Sequence, residues 1–481
     1  MGKKKLTTDG LLFCGMNSED VTGSCIYGQF DDKKFLIECG LHQSSSNSYL
    51  DSYKANSEKF RFNPKEIDYV FIGHAHIDHC GLLPRLIKEG FSGKIICTEE
   101  TKQIMIPLLL NCAFILNSEA RILSKKYKRE YKNIYEEQDV YDLIDNNYIC
   151  TYNEYNKIYK LDDKISFQFI KNSHCIGATQ IQIILNNNKK TKKILYSSDL
   201  GSITKKNHYV ETTEIPEMYN DYTIMESTYG DETRFFNKTR EKDISCLKVA
   251  IDTVLERKGT VILPAFSFSR TQELLTVLYE LYSEEDFNYH IYVDSKLSCE
   301  ISQIYNNVLY DDDLRLWKDV CAWDKIHFIQ EKEESQRCIS NHTPKIVISS
   351  SGFCTNGRVV SYLEEYLKDY NSMIIFSGYV GDNSSYLSYR IKNYKDNKTI
   401  NINKKPILNK ADTISLYTFS SHANNKELIE YGSNLNTEKL ILVHGTEKAK
   451  NCLRTKLQEK ISKNNKTYKV VCSSKDMIIH F

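Results

Sequence analysis

Residues 73–81 read Gly-His-Ala-His-Ile-Asp-His-Cys-Gly. Three imidazoles and one carboxylate fall within six positions, and these are the borderline ligands that zinc prefers. The chain has 12 histidines in 481 residues, so such a cluster is not scatter. The apolar run Tyr69–Ile72 just before it reads as a buried strand ending at Gly73. On an extended segment alternate residues point the same way, so His74 and His76 can grip one metal together. Asp78 and His79, at the start of the next helix, can reach a second metal on the other side. Such a site still needs a third neutral ligand and a bridging carboxylate. His174, in Ser173-His174-Cys175-Ile176-Gly177-Ala178, and Asp199, in Ser197-Ser198-Asp199-Leu200-Gly201, are the right types at two further strand ends. A lone histidine after a strand is more often structural; the incomplete cluster is what gives His174 weight.

The elements that must hold these residues are legible as patterns. Ser24–Phe30 and Lys34–Glu38 read as strands around the turn 31–33, and leucines 82, 83 and 86 with Ile87 mark a helix after the histidines. Residues 100–145 look helical and amphipathic, and the basic run Lys125–Lys132 reads as a solvated face. Strand composition returns at 166–170, 180–185, 193–198 and 222–227. From 240 to 400 helices alternate with short apolar strands, including Gly259–Pro264, His290–Val293, Lys345–Ser349 and Ser372–Phe376, which implies a parallel sheet. The tail offers strands at 413–419 and 439–443 and helices near 426–434 and 448–461.

The series His74-x-His76-x-Asp78-His79, then His174 and Asp199, resembles the metallo-β-lactamase fold. The strand Phe35–Glu38 occupies the place of that family's first motif, where Glu38 stands for the usual orienting Asp. Met225-Glu226-Ser227-Thr228-Tyr229-Gly230, Phe419-Ser420-Ser421-His422-Ala423 and Leu442-Val443-His444-Gly445-Thr446 resemble three β-CASP motifs. Leu263–Phe266, Arg270–Glu273, Val293–Leu297 and Ser349–Arg358 are similar to the inserted β-CASP domain, with Phe353 where Met is usual. The resemblance covers nearly the whole chain and points to RNA-processing nucleases of the polyadenylation and Integrator type and their prokaryotic relatives.

The resemblance implies a fold class: α/β, a metallo-β-lactamase αββα sandwich interrupted by an inserted α/β β-CASP domain with a mainly parallel sheet. Residues 1–230 would begin the sandwich, 231–405 form the insertion and 406–481 complete the sandwich, with RNA entering between the domains. It also implies two Zn²⁺ per chain. One would take His74, His76, His174 and Asp199; the other Asp78, His79, Asp199 and His444, with Asp199 bridging and Asp78 counted in the catalytic machinery. A hydroxide between the ions would complete both shells. Glu226 would orient His422, placed where the family keeps its general acid, and His444 in the third motif favours RNA over DNA. Physically, two metals about 3.5–4 Å apart activate water and clamp a phosphodiester for in-line attack. The departing ribose oxygen benefits from a proton, which an imidazole can hold near neutral pH, and a neighbouring Glu would raise its pKa.

Phosphate contacts are expected from Arg270, at a helix start where backbone N–H groups favour anions, and from Ser351 and Gly352 in a small-residue turn with Arg358 nearby. Arg390 follows a second strand-then-turn, where the family's Gly/Thr-rich continuation is replaced by Asp382-Asn383-Ser384-Ser385. The plain alternative for each arginine is a surface ion pair.

Composition narrows the classes. Net charge is +1, from 64 basic and 63 acidic residues, which excludes a generic polycation that coats nucleic acid. Fifteen cysteines without a C-x-x-C pair exclude a disulfide framework and a thiolate zinc cluster; Cys14, Cys97, Cys246 and Cys452 read as core thiols of a reduced, cytosolic protein. No apolar run of membrane-spanning length is expected, and Leu11–Cys14 after the basic Met1–Lys5 is too short for a signal peptide. The chain is therefore expected to be intracellular: cytoplasmic if prokaryotic, with a nuclear place open if eukaryotic. The expected function is a zinc-dependent ribonuclease acting on single-stranded RNA and leaving 5′-phosphate and 3′-hydroxyl ends. A catalytically dead scaffold subunit and a DNA-acting nuclease are the alternatives, and a homodimer or an RNA-processing complex is left open.

Overall fold

A computed structural model describes residues 5–44, 48–146, 148–206, 208–231, 239–394 and 398–481. The basic stretch at 1–4 lies outside them. The chain forms two compact units, 1–233 with 421–481 and 234–420.

Among the described residues, the first unit holds two seven-stranded sheets. In one, Ile478–His480, Gly10–Phe13, Ile26–Phe30 and Lys33–Ile37 run antiparallel, and Tyr69–Phe71, Lys94–Cys97 and Ile149–Thr151 continue in parallel. In the other, Lys469–Cys472, Thr437–Val443, Asn220–Glu226 and Thr191–Tyr196 are parallel, and Thr179–Asn186, Ile165–Lys171 and Tyr159–Lys160 continue antiparallel. Alternation along each strand sends Phe35, Ile37 and Phe71 from one sheet against Phe167, Ile181 and Ile194 from the other. Phe71 and Phe167 meet edge-on at 5.7 Å. Helices Glu99–Tyr127 and Glu447–Lys463 pack on the two sheets, giving the αββα order.

The helix Glu99–Tyr127 corrects one expectation: it is long and apolar enough, by length and composition, to cross a membrane. Ile104, Met105, Leu108, Leu109, Cys112 and Leu116 recur at three- and four-residue steps and are buried, the stripe of a helix packed on a core. The expected helix over 100–145 also divides here. Lys128 takes a left-handed conformation that ends the first helix, and Glu137–Asp145 starts a second behind a capping box at Glu136.

The second unit is built on a six-stranded sheet in the order Ile326–Ile329, His290–Asp294, Lys345–Ser349, Thr260–Pro264, Met373–Phe376, Asp412–Ser415, parallel at every pairing. Its central strands read Val-Ile-Leu, Ile-Val-Ile and Ile-Ile without alternation because helices cover both faces. Residues 406–420, expected to return to the sandwich, lie with the insertion instead, because Asp412–Ser415 adds an edge strand beside Met373–Phe376. The expected strand 413–419 accordingly stops at Ser415.

Candidate metal centre

The first unit gathers six polar loops at the carboxyl ends of its strands. Glu38 follows Lys33–Ile37, His74 follows Tyr69–Phe71, His174 follows Ile165–Lys171, Asp199 follows Thr191–Tyr196, Glu226 closes Asn220–Glu226 and His444 follows Thr437–Val443. Strands pack by their apolar bodies, so their ends are where a buried sandwich can concentrate polar groups. Glu38, Ser198 and His444 all have positive φ, at 62°, 54° and 50°. Non-glycine residues hold that conformation only where surrounding contacts over-determine it, and such positions cluster at functional sites. Gly73 has no room for a side chain: a Cβ there would sit 2.4 Å from Ser198 Oγ and 2.8 Å from Glu38 Oε1.

His74, His76, His174 and Asp199 present donor atoms all within 4.8 Å of one another, and so do Asp78, His79, Asp199 and His444. In the first group His76 Nδ1 lies 2.9 Å from His74 Nε2 and 3.2 Å from His174 Nε2. Asp199 Oδ2 is 3.8 Å from both of the latter nitrogens. In the second, His79 Nε2 is 3.3 Å from the same Asp199 Oδ2 and 3.7 Å from Asp78 Oδ2, which is 3.4 Å from His444 Nε2. Tetrahedral zinc with bonds near 2.0–2.1 Å separates its ligands by about 3.3 Å. The two sets bracket that spacing and share one carboxylate oxygen.

The polar atoms are not satisfied without a cation. Both ring nitrogens of His79, His174 Nδ1 and Asp199 Oδ1 are buried without a hydrogen bond, although carboxylates stand beside two of them. Burial, reinforced by the charges of His79, His76 and His174, holds His74 well below the usual imidazole range. Burial and then His422 do the same to His174, and burial pushes His76 down to about 4. Neutral imidazoles keep the lone pairs that a metal takes. Burial disfavours charge on Asp199 too, but His444, His79 and His422 outweigh it and hold its carboxyl well below the ordinary range. The donor set and its orphaned atoms fit divalent cations, zinc among them.

Outside the two groups, Glu38 Oε1 accepts the Gly73 N–H (3.1 Å) and lies 3.3 Å from His79 Nδ1, so the longer side chain reaches the His79 ring. His422 Nδ1 lies 3.1 Å from Glu226 Oε1, which also accepts the Leu200 N–H at 2.7 Å. Burial pulls the His422 pKa down, but the charge and hydrogen bond of Glu226 overcome it and the net shift is upward. Asp199, Glu226 and His422 also form a compact group, and His422 Nε2 is 4.0 Å from Asp199 Oδ2.

Sequence reasoning missed the supports. Ser198 Oγ lies 3.0 Å from His74 Nδ1, and Thr228 Oγ1 lies 3.0 Å from His444 Nδ1. Asn172 donates to the carbonyls of Ser197 and Asp199 and accepts the N–H groups of His174 and Gly201, tying two ligand loops together. Ser198 and Thr228 lie within quoted motifs, but only the fold shows what they touch. The residues expected at phosphate all lie in the second unit. Arg270 pairs with Glu273 (3.0 Å), and Arg358 pairs with buried Asp294 (2.7 Å) and the Gln330 carbonyl. Ser351 Oγ donates to the Asn356 carbonyl, Gly352 stands against the Phe266 ring, and Arg390 carries a buried Nε without a hydrogen bond.

Comparison with known proteins finds three family models. The Metallo-beta-lactamase superfamily model matches residues 19–117, the Beta-Casp domain 271–385 and the Zn-dependent metallo-hydrolase RNA specificity domain 410–468. The chain belongs to the metallo-β-lactamase superfamily, in its β-CASP branch of metal-dependent hydrolases. It is 26% identical to the transcription termination factor FttA of Methanocaldococcus jannaschii over 89% of this chain and 66% of that protein. It is 26% identical to cleavage and polyadenylation specificity factor 73 of Drosophila melanogaster, over 92% of this chain and 60% of the relative. It is 27% identical to the probable RNase MJ4 of M. jannaschii, over 90% and 93%. The chain thus spans just under two thirds of the termination factor's length. A crystal structure of a protein of unknown function from Enterococcus faecalis shares the fold, with a TM-score of 0.53 at 12% identity over 99% of this chain and all of that one.

Proposed function

We propose that the chain is a zinc-dependent ribonuclease that hydrolyses phosphodiester bonds of single-stranded RNA and leaves 5′-phosphate and 3′-hydroxyl ends. The single observation that carries this is the pair of four-residue donor groups sharing Asp199, with a separate Glu226–His422 pair beside them. Two zinc ions held by these groups would supply Lewis acidity, making water nucleophilic near neutral pH and neutralising charge on the phosphate. His74, His76 and His174 contribute neutral donors, and Asp199 and Asp78 offset the positive charge. Glu38 and Ser198 hold His79 and His74 in place. Glu226 fixes the His422 ring and favours its protonated form, so His422 can deliver a proton to the departing 3′ oxygen. Water, not the neighbouring 2′-hydroxyl, is the nucleophile, so no 2′,3′-cyclic phosphate forms. The RNA-specificity segment and the likeness to a cleavage and polyadenylation factor and a probable RNase support RNA as substrate and an intracellular place within an RNA-processing assembly.

The test combines elemental analysis with end-labelled RNA. About two zinc ions per chain are expected, together with products bearing 5′-phosphates. Protein that holds no transition metal and takes up none when zinc is added, or fragments ending in cyclic phosphate, would overturn the reading. RNA labelled at either end separates internal cuts from digestion at the 5′ end.

A further inference from the structure

The first unit carries a paired thiol that the site does not use. Cys14 stands directly after Gly10–Phe13 and Cys25 directly before Ile26–Phe30, so the two face each other where Phe13 pairs with Ile26. The N–H groups of Cys14 and Gly15 both donate to the Cys25 carbonyl, at 3.0 and 2.7 Å, a β-bulge that sets both cysteines on one side of the ladder. Residues opposed across antiparallel strands have Cα atoms about 4.5–5.5 Å apart. Disulfides span roughly 4.4–6.8 Å, so closure needs little backbone movement. Cys14 is half-buried and its Sγ lies 3.4 Å from the Leu12 carbonyl, whereas Cys25 is buried.

The ten residues between them, Gly15–Ser24, brace the metal centre through the backbone. The Asn17 carbonyl accepts the His444 N–H (2.8 Å), and the Asp20 carbonyl accepts the Gly445 N–H (3.2 Å). The Ser24 N–H donates to the Asp78 carbonyl (2.8 Å), and the Ser24 carbonyl accepts the Gly40 N–H (2.8 Å). We propose that Cys14 and Cys25 form a reversible disulfide that staples this loop and stiffens the backbone behind His444 and Asp78. The oxidant is a small disulfide of the glutathione type. The Cys14 thiolate attacks one of its sulfurs, forming a mixed disulfide and releasing one thiol. Cys25 then gives up its proton and attacks Cys14 Sγ, releasing the second thiol. The protein loses two hydrogens, and one small disulfide becomes two thiols. Cys14 is the more exposed of the two, which fits it as the attacking group and buried Cys25 as the resolving one. The inference does not depend on which metal binds or which nucleic acid is cut.

The intact protein is incubated with glutathione disulfide, remaining thiols are alkylated, and the digest is mapped. The tryptic peptide Leu6–Lys33 contains both cysteines and no other. It is expected to lose about two mass units, to remain unalkylated, and to recover both thiols on reduction. Glu-C cleavage after Glu19 should then yield two fragments joined by the bond. In the oxidised protein the His444 and Gly445 amides should exchange about 10-fold more slowly or less readily still. Cys14→Ser should abolish the mass loss and the slowed exchange while the protein stays folded by circular dichroism, and Cys14→Ala provides a second folded control. The proposal fails if both cysteines are alkylated while exposed Cys246 carries glutathione, if Cys25 links to Cys39 instead, or if the bond forms without slowing His444 and Gly445.

Discussion

The buried carboxylates of the second unit and those of the metal centre in the first are treated in opposite ways. In the second unit each buried carboxylate has its partners. Asp294 accepts from Arg358 (2.7 Å), Ser335 (2.6 Å) and Tyr362 (2.7 Å). Asp243 accepts the N–H groups of Tyr417 and Thr418, and Glu273 pairs with Arg240 (2.6 Å) and Arg270 (3.0 Å). In the first unit Asp199, His79 and His174 leave buried atoms unbonded. A buried polar group without a partner costs about 1–3 kcal/mol, so a folded unit that gathers several at one point is built to receive a ligand. A satisfied network needs none and serves to hold the fold. For these carboxylates burial and polarity alone do not separate the two cases; the state of their hydrogen bonds does.

The contrast can be broken most strongly at Asp199. Asp199→Ala should remove metal as well as activity, because the shared carboxylate is lost and cations held close together would repel one another. Activity should fall further than the ~10²–10⁴-fold expected for a single acid–base group. Zinc per chain measured beside cleavage rate decides this, and retention of two ions would show that Asp199 does not bridge.

His422→Ala sharpens the boundary of the site. It should slow cleavage by ~10²–10⁴-fold with zinc content unchanged. Its ring lies near Asp199 as well as Glu226, so a loss of zinc like that of Asp199→Ala would make His422 a ligand. Cleavage at the parent rate would make the pair with Glu226 structural.

Ser198→Ala tests the support of His74. Removing a group that orients a ligand should weaken metal affinity by ~10–100-fold, read by competition with a chelator, and leave the fold intact. Unchanged affinity would mean that packing alone holds the ring.

The smallest effect on the metal centre is expected in the second unit. Arg358→Ala should leave zinc content at the parent level and lower stability by about 1.5–3 kcal/mol, the range for a hydrogen bond to a charged group, read as a shift in the denaturation midpoint. A raised KM for RNA with unchanged stability would instead make Arg358 a phosphate contact whose pairing with Asp294 is incidental.

Reading order along the chain explains which features were legible. Ligands that lie close in sequence, His74 to His79, carry their meaning in their spacing, because a strand end and the following helix fix where they point. Unbroken apolar stretches within 260–264 and 345–349 announce strands buried on both faces. The edge strand Asp412–Ser415 had no such mark. Apart from Ile414 its residues are polar, all four are at least partly exposed, and only pairing with Met373–Phe376 makes it a strand of the second unit. Length and hydropathy likewise could not distinguish a core helix at 99–127 from a membrane span; the buried stripe of that helix does.

By itself, the sequence determined the chemistry on offer: imidazoles and carboxylates of the types zinc takes, a Glu and a His suited to proton transfer, and strands alternating with helices to carry them. These follow from residue type and short-range spacing, which a chain carries before it folds. Tertiary structure alone decided that Asp199 Oδ2 lies between two donor groups, that Ser198 and Thr228 steady His74 and His444, that Arg358 spends its charge on Asp294, and that Cys14 stands opposite Cys25 behind the metal centre. The physical reason is range. A hydrogen bond or a metal ligand is effective over about 3 Å, and residues separated by tens to hundreds of positions reach that distance only when the strands bearing them have packed.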